Sequence, residues 1–389
     1  MRSVLFSAHN RVTLLHSGEE YFPALIAAID AAQMEIYLET YIFASDDTAD
    51  LIKGALIAAA RRGVQVNIIT DWIGTGTKKC KELQQELSEA GGNQRTFNPW
   101  FHRGISRSHR KICVVDRKTA FVGGLNINDD MSSDDDAKMR LPAPRWDFAV
   151  QIVGPLVNSI HIEAEAQWAR LGPLNLKHRW DLFREARSTS SASSEDAPTL
   201  AGFVVRDNLR NRRTIQRAYL KALGAARKSV LLANPYFAPG RKLRDALSSA
   251  ANRGVEVTLL LGVGQFRMQD AVAHAFYSKL LRNGVNIVEY RKTQLHAKVA
   301  VVDDSWATVG SSNYDGLSLF VNQEANVVVK DAAFSTALRK QIERAVADAV
   351  RIDPNDYANT PWYARFWYGA AYFLYQGVFR IITLGRYSE

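Results

Sequence analysis

The sequence predicts an α/β protein in which one strand–helix–strand pattern is used twice, in two pseudo-symmetric halves. Two observations carry this prediction: the pattern recurs with the same turn sequence, and a polar motif recurs in one constant register. The chain has 389 residues, of which 47% are hydrophobic and 23% charged. This composition is typical of a globular protein, and the length indicates about two domains.

The repeated pattern is clearest in its strands and turns. Residues 34–43 (MEIYLETYIF) and 228–237 (KSVLLANPYF) are strand-like runs, and each precedes a helical stretch. The next strands, 61–70 (RRGVQVNIIT) and 252–261 (NRGVEVTLLL), are both entered through Arg-Gly-Val. Because a glycine suits the point where a helix ends and a strand begins, both copies predict a βαβ unit.

A Ser-rich stretch separates the two copies. Residues 188–198 (STSSASSEDAP) lack apolar periodicity and therefore predict a linker or loop. We expect a first half over 1–187, a linker over 188–199, a second half over 200–355 and a carboxyl-terminal segment over 356–389.

A polar motif strengthens the internal repeat. The first half contains SHRKICVVDRKTAFVGGLN and the second LHAKVAVVDDSWATVGSSN. Every matched residue of the second half stands 187 positions after its counterpart, which makes two copies a far stronger signal than one His-x-Lys alone. The candidate catalytic residues are His109, Lys111 and Asp116 in the first half, and His296, Lys298 and Asp303 in the second; Gly123 with Asn126, and Gly310 with Asn313, complete the motifs.

The chemistry of the motif suits a phosphodiester. Residues two apart in a strand share a face, so each half offers an imidazole beside an ammonium group. If the halves pack about a pseudo-twofold axis, His109 and His296 meet at one site. One imidazole would then attack phosphorus, while the other protonates the leaving alcohol and deprotonates the incoming one. The lysines, with Asn126 and Asn313, are expected to hold non-bridging oxygens, without a metal or another cofactor.

Each imidazole also needs a partner for its second nitrogen. Asp147 follows the first motif and Glu324 the second, and each heads an apolar strand-like run. The first spacing is longer by about ten residues, which predicts a surface loop inserted at 131–145. Asp116 and Asp303 are expected to brace the backbone or a lysine rather than react.

These residues resemble the hallmark of the phospholipase D superfamily, in which His-x-Lys-x(4)-Asp occurs twice and a Gly-rich stretch ending in Asn follows each copy. The likeness extends over roughly residues 10–350. Stretches such as SHRKICVVD, FVGGLNIND and NPYFAPGRKLRDAL look like the bacterial cardiolipin synthases of the short B type. One departure is Gly124, where many members have Ser.

The resemblance implies two similar α/β/α halves, each a mixed sheet flanked by helices, that share one metal-independent site at their interface. It implies transfer of a phosphatidyl group between two phosphatidylglycerol molecules, which forms cardiolipin and releases glycerol; some relatives also use phosphatidylethanolamine. It further implies a phosphatidyl-histidine intermediate, with His109 as nucleophile and His296 as acid and base.

The carboxyl-terminal segment differs in kind. Residues 366–379 (FWYGAAYFLYQGVF) carry no charge and lie between Arg365 and Arg380. This run is shorter than the ~20 residues that cross a bilayer, whereas aromatic rings flanked by Arg are typical of an interfacial helix. We expect residues 362–384 to lie on an anionic membrane surface; a helix packed on the protein's own core is the alternative.

The net charge of +9 favours a polyanionic partner, which is either an anionic membrane or a nucleic acid. Only Cys80 and Cys113 occur, which indicates a reducing compartment, and the amino terminus lacks a secretory apolar run. The expected location is peripheral, on the cytoplasmic face of a bacterial inner membrane.

Two other function classes remain open. A phospholipase D-type hydrolase or nuclease would use the same twin motif, although no nucleic-acid partner is expected here. A non-catalytic membrane-binding protein is the third class, and the intact His, Lys and Asp of both motifs argue against it.

Overall fold

The computed structural model describes residues 4–133, 139–172, 199–207 and 211–383. Within these ranges the α/β prediction is confirmed, because helices flank one mixed sheet of 15 strands. The strands are β1 (Phe6–His16), β2 (Glu35–Thr40), β3 (Gln65–Asp71), β4 (Asn93–Phe97), β5 (His102–Ile105), β6 (Ile112–Val115), β7 (Thr119–Gly123), β8 (Phe148–Val153), β9 (Thr199–Arg206), β10 (Ser229–Asn234), β11 (Phe237–Ala238), β12 (Glu256–Gly262), β13 (Asn286–Tyr290), β14 (Val299–Val302), β15 (Trp306–Gly310), β16 (Tyr314–Asp315), β17 (Glu324–Lys330) and β18 (Val350–Arg351). The helices are α1 (Ser17–Asp30), α2 (Asp47–Arg61), α3 (Thr77–Glu89), α4 (Leu156–Leu171), α5 (Thr214–Ala225), α6 (Arg241–Asn252), α7 (Arg267–Arg282), α8 (Gly316–Phe320), α9 (Ala332–Ala347), α10 (Pro354–Ala358) and α11 (Trp362–Thr383).

The strand order confirms the predicted pseudo-symmetry. From the centre of the sheet outward, the first half contributes β1, β8, β7, β6, β2, β3 and β4. The second half contributes β9, β17, β15, β14, β10, β12 and β13 in the matching order, with β18 added at the edge. The central strands β1 and β9 pair antiparallel, with Phe6 opposite Gly202, so that the two halves share one continuous sheet.

The two βαβ units lie where the sequence predicts them. Strands β2 and β3 pair in parallel around α2, with Ile36 opposite Val66, and β10 and β12 do the same around α6. The glycine of each Arg-Gly-Val turn adopts a left-handed backbone conformation, at φ +91° for Gly63 and +86° for Gly254. This conformation ends the helix and turns the chain into the next strand.

The sheet buries a different core on each face, because alternate strand residues point to opposite sides. In β6, Ile112 and Val114 enter a core that both halves share beneath α4 and α9, whereas Cys113 and Val115 enter a core covered by α1, α2 and α3. Helices α5, α6, α7 and α11 cover the corresponding face of the second half. The shared core holds the halves in a fixed relation beneath the motif residues.

The predicted linker and the inserted loop are described only in part. Residues 188–198 of the linker lie outside the described residues, and Thr199 is already the first residue of β9. Of the loop predicted at 131–145, residues 134–138 are likewise outside them.

The carboxyl-terminal segment forms the 22-residue helix α11. One side of α11 packs on the second half, where Ala371 and Phe379 are buried and Tyr368 stacks on His274 at 4.8 Å between ring centroids. Among the described residues, no helix combines the length and apolarity required to cross a membrane. The other side of α11 is a continuous exposed stripe formed by Trp362, Tyr363, Phe366, Trp367, Phe373, Leu374, Val378 and Ile381.

Candidate active site

The His and Lys of each motif lie directly before a strand of the sheet, in equivalent places of the two halves. His109 and Lys111 precede β6, and His296 and Lys298 precede β14. Lys111 Nζ donates a hydrogen bond to the carbonyl oxygen of His109 at 2.9 Å, and Lys298 makes the same contact with His296. Each imidazole is thus accompanied by its own ammonium group, in the arrangement that the two-residue spacing predicts.

Short backbone bridges join the two halves beside each imidazole. Ser108 pairs with Gln323, and His109 N–H donates to Gln323 O at 2.9 Å. In the matching bridge, Trp146 pairs with Leu295, and the carbonyl oxygen of Trp146 accepts from the His296 N–H at 3.0 Å. Each bridge therefore sets the residue before a histidine of one half against the residue before a carboxylate of the other half.

Because of these bridges, the carboxylate of each half lies beside the imidazole of the other half. Glu324 Oε2 lies 3.1 Å from His109 Nδ1, and Asp147 Oδ2 lies 2.6 Å from His296 Nδ1. From the sequence both carboxylates are candidate partners of the imidazoles, and their crossing between the halves is not apparent there. Because each imidazole depends on a carboxylate of the other half, neither half completes the site alone.

The hydrogen bonds of His109 define its neutral tautomer. Its Nδ1 faces two acceptors, Glu324 Oε2 and the carbonyl oxygen of Ser311, each at 3.1 Å. Since both neighbours can only accept here, Nδ1 must carry the proton. The lone pair of a neutral His109 is consequently on Nε2, the nitrogen suited to attack.

Charges from both halves act on the same site. Burial lowers the pKa of His109 below its usual 6.5, Lys111 and Lys298 lower it further, and Glu324 opposes them. Burial raises the pKa of the Asp147 carboxyl, while Lys298 and Lys111 favour its ionised form. Lys298 of the second half therefore acts on two groups of the first half, as expected for one shared site rather than two separate ones.

The carboxylates that face the two imidazoles have different surroundings. Ser311 Oγ donates to Glu324 Oε2 at 2.5 Å, so the carboxylate oxygen that faces His109 is shared with a hydroxyl. The equivalent residue in the first half is Gly124, where an added Cβ would lie 2.3 Å from Asp147 Oδ1. A side chain is thus excluded beside Asp147. The Asp147 carboxylate approaches His296 more closely than the Glu324 carboxylate approaches His109.

Residues that alternate with His109 and Lys111 anchor the motif from the opposite side. Ser108 Oγ donates to the buried Glu39 carboxylate, and Ser108 N–H donates to Asp71 Oδ2 at 2.9 Å. Arg110 is fully buried, with Nη1 at 3.1 Å from Glu163 Oε1. In the second half, apolar Leu295 and Ala297 take the places of Ser108 and Arg110 and are also fully buried.

The sequence argument missed several of these neighbours. Tyr41 presents its ring edge to His109 at 5.1 Å between centroids, and Lys111 Nζ lies 5.4 Å from the Tyr41 ring. Tyr41 stands in the first strand-like run without a counterpart in the second, where Pro235 follows the matching strand. The contrast between Gly124 and Ser311 was visible in the sequence, but its effect on the carboxylates was not.

The motif aspartates lie away from the imidazoles. Asp116 is five residues beyond Lys111, which along a strand is about 16 Å. Its carboxylate accepts the backbone N–H groups of Gln33, Met34 and Glu35, at 2.8 to 3.0 Å. Asp303 binds residues 227–229 in the same way. Both aspartates brace backbone, as expected, and the structure does not bring them to the reacting groups.

The motif asparagines are buried at the start of the segments that follow β7 and β15. Asn126 Oδ1 accepts from Ile42 N–H at 3.2 Å, which leaves its amide NH₂ as the remaining polar group. Asn313 is 7% exposed, and its Oδ1 has no hydrogen-bond partner among the described residues. Across the same described ranges, no group of three or more His, Cys, Asp or Glu has an arrangement that could hold a metal ion.

Comparison with solved structures finds this fold in other proteins. The chain is similar to a phosphatidylserine synthase from Haemophilus influenzae, with a TM-score of 0.70 over 97% of this chain and 96% of that one, at 13% identity. A polyphosphate kinase from Porphyromonas gingivalis shares the fold with a TM-score of 0.55, over 95% of this chain and 56% of the kinase, at 14% identity. At such identities the likeness concerns the fold alone.

Sequence comparison identifies the family. Residues 25–139 and 219–346 match the family described as "Cardiolipin synthase, PLD-like domain". The chain is 37% identical to Cardiolipin synthase B of Escherichia coli (strain K12), over 91% of this chain and 85% of that protein. It is 30% identical to a Cardiolipin synthase of Clostridium perfringens (strain SM101 / Type A), over 86% of this chain and 70% of that protein. The chain belongs to the cardiolipin synthases of the phospholipase D superfamily, and the predicted likeness to the B type is confirmed.

Proposed function

We propose that this protein is a phosphatidyltransferase that forms cardiolipin and glycerol from two molecules of phosphatidylglycerol. The observation that carries the proposal is the crossed pairing of His109 with Glu324 and of His296 with Asp147. Two imidazoles with fixed tautomers, each accompanied by a lysine, suit double displacement at a phosphodiester. The family supplies phospholipids as the substrate class.

In the first step, His109 Nε2 attacks the phosphorus of phosphatidylglycerol. A nitrogen–phosphorus bond forms as the bond from phosphorus to the glycerol oxygen breaks. The Nε2 proton of a protonated His296 passes to the departing glycerol oxygen, while Asp147 stabilises the positive charge that this imidazole carries beforehand. The products are a phosphatidyl group on His109 and free glycerol.

In the second step, a hydroxyl of a second phosphatidylglycerol attacks the same phosphorus. His296, neutral after the first step, removes the hydroxyl proton, and the nitrogen–phosphorus bond to His109 breaks. Cardiolipin leaves, and both imidazoles return to their starting protonation states. Water in place of the second lipid would give phosphatidic acid through the same intermediate.

The lysines and asparagines serve the phosphate oxygens in both steps. Lys111 and Lys298 each donate to the carbonyl oxygen of their own histidine, which keeps the ammonium groups beside the imidazoles. Their charge stabilises the oxygens of the pentacoordinate transition state. The amide groups of Asn126 and Asn313 supply further donors, and the mechanism calls on no metal.

The unequal carboxylates support His109 as the nucleophile. A nucleophilic imidazole must be neutral, and the pKa of His109 is lowered by burial and by the lysines. The acid must hold a proton, and the short contact from Asp147 favours the protonated form of His296. The pseudo-symmetry of the fold would otherwise permit either order.

The exposed stripe of α11 is proposed to rest on an anionic membrane at headgroup depth. Trp362 and Phe366 are 79% and 73% exposed on this stripe, and Arg365 and Arg380 lie in the same helix. Aromatic rings settle in the interfacial region, and Arg side chains bind lipid phosphates there. The enzyme would then act peripherally on the cytoplasmic face of a bacterial inner membrane.

A lipid-product assay tests the proposal. Purified protein is incubated with detergent-dispersed phosphatidylglycerol and excess chelator, beside His109→Ala and His296→Ala. We expect cardiolipin and glycerol in equal amounts from the unchanged protein alone. Phosphatidic acid as the main product would replace the transferase with a hydrolase, and absence of lipid turnover together with cleavage of DNA would replace it with a nuclease.

A further inference from the structure

A second exposed aromatic surface lies near the active site, apart from α11. It consists of Trp72, Ile73 and the segment 98–105, which includes the short strand β5 and is here called the aromatic loop. Trp100 is 70% and Phe101 47% exposed. The Trp72 ring lies 5.6 Å from Trp100 and 5.3 Å from Phe101 between centroids, so that the three rings form one cluster.

The fold holds this loop in an unfavourable backbone conformation. Asn98, Trp100 and Phe101 have φ values of 52°, 53° and 58°, in the left-handed region that bulky residues rarely adopt. The buried Asn98 side chain pins the base of the loop by donating to the carbonyl oxygens of Gly104 and Ser106, at 2.6 and 2.8 Å. Exposed rings held in place against backbone preference indicate a surface with a partner.

The aromatic loop leads directly into the catalytic segment. Ser106 Oγ donates to Val321 O at 3.1 Å, and Arg107 O accepts from Gln323 N–H at 2.8 Å, one residue before the bridge that places Glu324. The Arg107 guanidinium lies 5.0 Å from the Phe101 ring. A cation, two residues before His109 in the chain, therefore lies beside the exposed rings.

Residues 316–323, which include Val321 and Gln323, also contact α11. Phe320 precedes Val321, and its ring lies 6.3 Å from the Phe379 ring of α11 between centroids. Gly316 N–H donates to Tyr375 Oη of that helix at 3.1 Å. The aromatic loop and α11 are thus attached to the two ends of residues 316–323, which run beside the catalytic histidine.

We infer that the aromatic loop is a second membrane contact, which inserts Trp100 and Phe101 among the headgroups of an anionic bilayer and presents lipid to the site past Arg107. The inference rests on the proposed function, since it takes the substrates to be lipids of that bilayer. Aromatic rings beside an arginine match the interfacial layer of an anionic membrane. With α11, the loop gives the protein two contacts that flank one catalytic entrance.

The test compares a Trp100→Ser, Phe101→Ser double variant with the unchanged protein and with Leu5→Ser. Leu5 is 79% exposed and lies near Asp303, at the end of the central strands away from the histidines, so it is a matched loss of exposed apolar surface. Two quantities are measured: partition onto vesicles of phosphatidylglycerol and phosphatidylcholine, and cardiolipin formation from vesicles relative to short-chain phosphatidylglycerol dissolved as monomers.

We expect the double variant to lose about 10-fold in vesicle partition, and about 10-fold in the ratio of vesicle to monomer turnover, because two rings leave the interface. Leu5→Ser should change neither quantity. Equal losses on vesicles and monomers would assign the loop to the catalytic site or to folding. Unchanged partition would overturn the inference. If the unchanged protein forms no cardiolipin from either substrate, the proposed function fails, while the partition measurement still tests the loop.

Discussion

Asp147 Oδ2 lies 2.6 Å from His296 Nδ1, although the two residues belong to different halves of the chain. The equivalent contact, from Glu324 to His109, is 3.1 Å and is shared with the Ser311 hydroxyl. The two imidazoles are therefore related by symmetry in position but differ in electrostatic support. Most of the predictions below depend on this difference.

Replacing Asp147 with Asn should reduce kcat about 10³-fold, because His296 loses the charge that stabilises its protonated form and its orientation. Glu324→Gln should cost less, about 10²-fold, since Ser311 O still accepts from His109 Nδ1. Steady-state kinetics measure both losses of kcat, and thermal unfolding serves as the control. A larger loss from Glu324→Gln at equal stability would reverse the roles given to the two imidazoles.

A substrate with nitrophenol as its leaving group should separate the nucleophile from the acid. Nitrophenolate leaves without a proton, so His296→Ala should release about one equivalent per site in a rapid burst. Turnover should then stall, because no base activates the second alcohol. His109→Ala should give no burst, and mass spectrometry of the quenched His296 variant should locate the phosphatidyl group. A burst confined to His109→Ala would assign attack to His296.

Attack by His109 should persist at pH values below the ordinary pKa of histidine. Its pKa is lowered from 6.5 by burial and by the lysines, and attack needs the neutral ring. With the nitrophenyl substrate, kcat/KM should therefore hold as pH falls past 6.5 and decline only as pH falls through the lowered pKa. Ser311→Ala should move this decline toward higher pH, because Glu324 then acts on His109 alone. A decline centred above 6.5 in the unchanged protein would contradict the inference.

Gly124→Ala should remove most of the activity without unfolding the protein. The new Cβ would lie 2.3 Å from Asp147 Oδ1, so the carboxylate must move away from His296. A displacement of this kind costs about 10²-fold in rate. Gly54→Ala is a suitable control, because its Cβ would meet nothing within 4 Å. Unchanged kcat in Gly124→Ala would show that the position of Asp147 is not restricted.

Asp116→Ala should lower the free energy of unfolding by about 2–4 kcal/mol, because three backbone N–H groups lose their acceptor and Ala is disfavoured at φ 52°. Asp116→Asn should cost less, since Asn tolerates this conformation and keeps an acceptor. Urea unfolding measures the difference. Activity per folded molecule should remain within a few-fold, and a selective loss of kcat would place Asp116 in the catalytic machinery instead.

The stability that Asp116 contributes should also depend on pH. Burial alone disfavours its charge, but the hydrogen bonds from Met34, Gln33 and Glu35 outweigh burial and hold its pKa below 3.8. The contribution is then fully present above 3.8 and is lost as pH falls through the lowered pKa. The difference in the free energy of unfolding between the unchanged protein and Asp116→Ala should accordingly become smaller in strong acid.

The repeat and the motif residues could be predicted from the sequence because both are local patterns. Strand periodicity, the turns at Gly63 and Gly254, and the constant separation of the two motifs all appear within short windows of the chain. The crossing of Asp147 and Glu324 could not be predicted in this way. It depends on the bridges of Ser108 with Gln323 and of Trp146 with Leu295, which join residues far apart in the sequence.

Other parts of the molecule escaped prediction for separate reasons. The run from Asn98 to Ile105 includes a glycine with left-handed backbone, Gly104, but nothing in it predicts the same conformation at the bulky Trp100 and Phe101. The carboxyl-terminal aromatic residues suggested either a membrane or a core contact as alternatives. The helix α11 has one side on the core and another exposed, and an unbroken aromatic run leaves these two sides hard to tell apart in sequence.

The antiparallel pairing of β1 with β9 has a consequence for how the two imidazoles came to differ. A homodimer of identical halves would carry the same residue at the positions of Gly124 and Ser311, because symmetry copies every substitution. A single chain releases that constraint and lets each position change alone. The protein thereby keeps the geometry of a symmetric pair, while each imidazole can be adapted separately to the role proposed for it.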